Sequence, residues 1–104
     1  MTTDLDKFTT DVLIKLQEEC GEVIQIVSKT LLFGPDGWHP DDPAKKNHQL
    51  LEEEVGDVLA MIDLLVEAGI GITDKGLLKA KKEKFRKLIR WHDGIQCRTK
   101  TPKS

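Results

Sequence analysis

One stretch of this chain occurs twice, and the repetition limits the folds open to it. Leu16-Gln-Glu-Glu-Cys-Gly-Glu-Val-Ile24 returns 35 residues later as Leu51-Glu-Glu-Glu-Val-Gly-Asp-Val-Leu59, with five of nine positions identical. Each copy carries two acids three residues apart, Glu19 with Glu22 and Glu54 with Asp57. Residues at that spacing share one face of a helix, so each copy projects two carboxylates to one side. Apolar neighbours draw both pairs inward, where four gathered acids repel one another unless a cation lies among them. An all-oxygen donor set suits a hard divalent ion, Mg²⁺ first and Mn²⁺ as the alternative. Either pair alone reads as a solvated acidic face; the doubled pattern beside apolar stripes does not. A di-iron carboxylate bundle is disfavoured, because such sites use Glu-x-x-His and no histidine here follows a glutamate by three.

The rest of the pattern is helical. Phe8, Val12, Leu16, Cys20, Val23, Val27 and Leu31 recur at three- and four-residue steps, the mark of one apolar helix face. This first helix begins somewhere between Thr3 and Asp11 and stops near Phe33-Gly34-Pro35, since proline cannot continue it. Residues 33–42 form a loop with two prolines, two glycines and a tryptophan. Asp42 followed by Pro43 reads as a helix start, so the second helix is expected over Pro43–Ala68, with Gly69 ending it. Gly21 and Gly56 sit mid-helix at the same place in both copies, at a cost of roughly 1 kcal/mol each relative to alanine. That choice suggests close approach of the two helices, or room beside the acids. Thr73 then caps a third helix that Gly94 closes. No segment shows the period of a strand. The expected fold class is all-α: a helical hairpin plus a third helix, giving an oligomeric, four-helix-bundle-like core. The domain is expected over 1–94, with a polar C-terminal tail over 95–104.

Charge is unevenly spread. Residues 1–74 hold 16 acids and 5 bases, and residues 75–104 hold 2 acids and 11 bases. An acidic body suits a metal and a basic helix suits anions, although the two could also simply neutralise each other. The basic run lacks interleaved aromatics and any known DNA-binding motif, so a nucleic-acid partner is not expected. No apolar run approaches membrane length, and the N-terminus is acidic and polar rather than signal-like. Cys20 and Cys97 have neither CxxC nor zinc spacing, which fits a reducing cytoplasm.

The motifs LQEECGEVI and LEEEVGDVL resemble the ExxE…ExxD signature of the all-α nucleoside triphosphate pyrophosphohydrolases. The chain is similar to the MazG-like members, especially the small phage and bacterial branch with dATP/dGTP-type diphosphohydrolases. Ile26-Val-Ser-Lys-Thr-Leu-Leu-Phe-Gly34 and Asn47 also look like that branch, and the likeness covers residues from about 10 to about 90. It extends to the phosphoribosyl-ATP pyrophosphohydrolases. The resemblance implies cleavage between the α- and β-phosphates by metal-activated water, giving a nucleoside monophosphate and pyrophosphate. It makes Glu19, Glu22, Glu54 and Asp57 the Mg²⁺ ligands. Glu18 and Glu53 would orient water or stay exposed. Lys29, two turns beyond Glu22, is a candidate for the phosphates, with Lys82, Lys79 and Arg86 on the third helix. Trp38 is the candidate for stacking on the base, and Asn47 for a base edge or a place in the first turns of helix two. Members of this size are commonly dimers or tetramers, so a homodimer or homotetramer is expected. Two rivals stand beside this reading: phosphoribosyl-ATP cleavage, and a non-catalytic helical protein that binds a nucleotide or a partner.

Overall fold

The computed structural model describes residues 4–39 and 42–91. The expected tail over 95–104 and the expected stop at Gly94 lie outside the described residues. The chain divides into two compact units, Met1–Ile70 and Gly71–Ser104. The first holds helix α1 (Lys7–Phe33), strands β1 (Trp38–His39) and β2 (Asp42–Lys46), and helix α2 (Asn47–Glu67); the second holds helix α3 (Asp74–Trp91). No described helix is long and apolar enough to cross a membrane.

Asp6 settles where α1 begins. Its carboxylate accepts the Thr9 N–H at 2.7 Å, satisfying one of the donors that a helix start leaves open. At the other end Gly34, at φ 85°, donates its N–H to Thr30 O at 2.8 Å, a backbone conformation that glycine adopts without strain.

The Asp42-Pro43 signal does not start α2. Residues 42–46 instead form β2, paired antiparallel with β1, with Trp38 opposite Lys46 and His39 opposite Asp42. The fold remains all-α in class, but the expectation of no strand and of a helix from Pro43 is corrected here. Pro43 lacks the N–H that a ladder needs, a defect tolerated on an edge strand. The helix begins at Asn47, where the Lys46 N–H donates to Gln49 Oε1 at 2.8 Å.

α1 and α2 pack against each other, and Val12 and Ile26 of α1 and Leu65 of α2 are the buried apolar residues. Glu19 faces Asp57, Glu22 faces Glu54 and the Lys29 carbonyl faces Asn47. Numbers rise along α1 as they fall along α2, so the hairpin is antiparallel. A duplicated segment on an antiparallel pair is related to itself by an approximate twofold axis. That is why the acid pairs converge. Gly21 and Gly56 make no close approach among the described residues, where a Cβ at either would meet nothing within 4 Å.

Thr73 caps α3 as expected, its hydroxyl oxygen accepting the Gly76 N–H at 2.9 Å. Asp74 lies in the first turn, the favourable end for an acid.

Candidate functional site

The acids of the repeat are the centre of the hairpin. Glu19, Glu22 and Glu54 each offer a carboxylate oxygen, and these oxygens lie within 4.8 Å of one another. Glu19 is only 6% exposed, although most glutamates stay in water. Asp57, opposite Glu19, acts on the carboxyls of both Glu19 and Glu54. The cluster thus contains three of the four residues that the repeat singles out, with Asp57 beside it.

Among the described residues, Lys15 offsets part of this negative charge. Burial first, then the charges of Glu22 and Asp57, raises the Glu19 carboxyl above the ordinary range, and Lys15 pulls it partly back. Lys15 Nζ lies 3.5 Å from Glu19 Oε1 and 3.2 Å from Glu18 Oε2. Glu54 is pushed up to about 7, chiefly by the facing Glu22 carboxyl, then by burial and the remaining acids. Two buried oxygens, Glu19 Oε2 and Glu54 Oε2, have no hydrogen-bond partner among the described residues. Orphaned buried acceptors are costly, and a cation is the ligand that would satisfy both together.

The donor set fits such an ion. Oxygens bound to a common Mg²⁺ at about 2.1 Å lie no more than about 4.2 Å apart, so the observed cluster needs only sub-ångström adjustment. The residues that could hold a divalent metal are therefore Glu19, Glu22 and Glu54, with Asp57 adjacent to them.

A cleft of about 290 Å³ opens beside the acids, lined by Glu22, Gln25, Ile26, Lys29, Leu50 and Glu54. Lys29 therefore reaches the same space as two of the acids, as its spacing from Glu22 suggests. Gln25 was not singled out by the sequence, although it sits one turn after Glu22 and one turn before Lys29. That periodicity was the signal for it.

The remaining candidates are spread more widely. Glu18 and Glu53 stand on the surface, Glu18 beside Lys15 and Glu53 with both oxygens held by Lys45 at 2.9 and 3.2 Å. Trp38 is 58% exposed on β1. Asn47 is turned inward: at 2% exposure it presents no edge to a base, and its amide N–H groups donate to the main chain of α1. Lys79, Lys82 and Arg86 share a hollow of about 420 Å³ along α3 with Lys75, Leu78 and Glu83. Arg86 is paired with Glu83 at 2.7 Å, leaving the lysines as the more available charges there.

The model of the MazG nucleotide pyrophosphohydrolase domain matches residues 9–94, a span that takes in both acid pairs and all of α2 and α3. No curated protein and no solved structure matches the chain.

Proposed function

The chain belongs to the MazG nucleotide pyrophosphohydrolase family, hydrolases of nucleotide phosphoric anhydrides that depend on divalent metal, and on that premise we propose that it converts nucleoside triphosphates, ribo- or deoxyribo-, to monophosphates and pyrophosphate with Mg²⁺. One observation carries the proposal: the antiparallel repeat gathers Glu19, Glu22, Glu54 and Asp57 beside a cleft into which Lys29 also projects. A divalent ion held by these acids supplies charge to phosphate oxygens and lowers the pKa of water. Mn²⁺ satisfies the same oxygen donors.

The other residues take roles that their positions support. Lys29 meets a phosphate in the cleft, and the Lys79, Lys82 and Arg86 face of α3 offers further phosphate contacts. Trp38 offers an open aromatic face to a base. Glu18 and Glu53 are available to orient water once freed from Lys15 and Lys45.

The working protein is a homodimer or homotetramer. Cys20, Val23, Ile24, Val55 and Val58 line an apolar hollow on the hairpin, and Val27, Leu31 and Leu59 are exposed. Burying one such side chain is worth roughly 1.5–3 kcal/mol, so a second copy on this face adds substantially to a small core. The cytoplasm, where nucleoside triphosphates are held, is the location that goes with this substrate.

The test is product analysis on a panel of ribo- and deoxyribonucleoside triphosphates with Mg²⁺ and with EDTA. Monophosphate plus pyrophosphate, lost in EDTA, is expected. Diphosphate plus phosphate would overturn the cleavage position. No turnover on any triphosphate would overturn the substrate, with phosphoribosyl-ATP the next compound to try.

A further inference from the structure

We propose that Asn47 is a positioning residue for nucleotide binding, the clasp that holds Lys29, the Trp38 ribbon and α2 in one arrangement. The proposal rests on the nucleotide reading above and adds a residue that touches neither phosphate nor base.

Asn47 is a buried polar side chain with a specific set of partners. Its Nδ2 donates to Gly34 O at 2.9 Å and to Lys29 O at 3.4 Å, so one amide ties two points at the end of α1. Its backbone N–H donates to Gly37 O at 2.8 Å, and the His48 N–H donates to Pro35 O at 3.0 Å. The turn is pressed hard against this amide. A Cβ on Gly37 would lie 2.7 Å from Phe33 O, 2.9 Å from Phe33 Cβ and 3.0 Å from Asn47 Nδ2. Only glycine allows that approach. By contrast, the contacts of Asp36 with Lys46 and His48 across the same turn are long and exposed, at 3.7 and 3.9 Å, and such contacts hold little.

The clasp lies where three parts of the cleft's surroundings begin. Lys29, whose carbonyl it binds, lines the cleft. Trp38 directly follows Gly37, and its strand pairs with the residue just before Asn47. Leu50 follows on α2 one turn later and lines the cleft. An isosteric loss of the donor puts a carboxylate against two carbonyl oxygens and frees the ribbon from α1. The acid cluster, held by helix packing further along the hairpin, keeps its geometry. Nucleotide affinity and metal affinity should therefore separate.

The experiment uses Asn47→Asp in the full chain, with KM, kcat and the Mg²⁺ concentration for half-maximal rate measured on the triphosphate that the wild type cleaves fastest. The expected result is a KM raised about tenfold or more, since a displacement near 1 Å away from the chemistry is costly, with Mg²⁺ half-saturation within about twofold. Trp38→Ala should also raise KM, and the double variant should fall well short of the product of the two effects, because both act through one ribbon. An unchanged KM, a full multiplicative effect in the double variant, or a parallel loss of Mg²⁺ affinity would each overturn the proposal. So would failure of Asn47→Asp to fold, which would make the residue a determinant of global stability. If the wild type cleaves no triphosphate, the nucleotide reading falls separately. The clasp is then tested by the fluorescence anisotropy decay of Trp38 in a Trp91→Phe background: faster decay in Asn47→Asp supports it, and identical decay overturns it.

Discussion

Glu19 and Glu54 open equivalent acid pairs in the two copies of the repeat, yet Glu19 has a cation four residues before it and Glu54 does not. Lys15 lies 3.5 Å from Glu19; the corresponding residue of the second copy, 35 positions later, is Leu50. Both carboxyls are pushed up by burial and by their acidic neighbours, but only Glu19 is partly relieved. Glu54 is pushed up to about 7, so the metal-free cluster takes up a proton where Glu54 faces Glu22. Two nearly identical motifs on a symmetric scaffold thus differ in their charge surroundings: a lysine offsets part of the upward push on Glu19, whereas the described neighbours of Glu54 all push it up, and a bound metal would displace a proton there.

The strongest way to break this comparison is to remove the carboxylate that lacks a cation. Glu54→Gln should lower turnover by more than about 100-fold, beyond what loss of an outer-shell partner typically costs, while the metal-free protein folds normally. The same variant tests the proton. Glu54 in the folded chain titrates near 7 against an ordinary value of 4.5, so between those values the folded state binds a proton that the unfolded chain has released. Stability of the metal-free wild type should therefore fall as pH rises through that window, lowering the melting midpoint by roughly a few degrees. Saturating Mg²⁺ should remove the slope, and Glu54→Gln should flatten it without metal. A midpoint that rises with pH across the window would show that Glu54 is ionised in the folded chain and that the two copies are alike.

A smaller effect comes from exchanging the cations. Leu50→Lys places an ammonium four residues before Glu54, as Lys15 stands before Glu19, and should weaken the pH slope of the metal-free protein. Lys15→Met should steepen it by releasing Glu19. Both changes should be a fraction of the Glu54→Gln effect, because an ammonium that stands in solvent, as that of Lys15 does, pairs weakly and is screened by salt. Melting curves at two salt concentrations check this: the Leu50→Lys effect should shrink with salt. Equal slopes in all three proteins would mean that the lysine is not what distinguishes the copies.

Most of the acid cluster was legible in the sequence because its information is local. A spacing of three on a helix fixes which side chains share a face, and the internal repeat fixes which faces meet once the chain doubles back. Lys29 followed from the same periodicity. The ribbon was not legible, because Asp42-Pro43 is a sound helix start in isolation and only the pairing of residues 42–46 with Trp38-His39 overrides it. Asn47 was visible as a polar residue near the second motif, but its burial depends on the turn that Gly37 permits, a tertiary fact no spacing encodes. Lys15 and Gln25 carried the right spacing from Glu19 and Glu22 and went unremarked among ordinary surface residues. The relation of the α3 bases to the acids depends on how separate units assemble, which periodicity within one helix does not address.

The smallest effect concerns the glycines, where the copies are alike. In a helix interior, alanine is favoured over glycine by roughly 1 kcal/mol, and a Cβ at Gly21 or Gly56 meets nothing within 4 Å among the described residues. Gly21→Ala and Gly56→Ala should thus each raise the stability of the chain by a similar, modest amount if solvent is their only neighbour. A second copy seated on one of them reverses the sign there, because the methyl group then occupies space the partner needs. Thermal melts over a range of protein concentrations separate the two cases. Equal gains independent of concentration would place both glycines in open solvent and leave their cost in the helix without a structural reason. A loss at one position that grows with concentration would locate the contact between copies on that helix, and would show that the assembly treats the two halves of the repeat differently, as the charges already do.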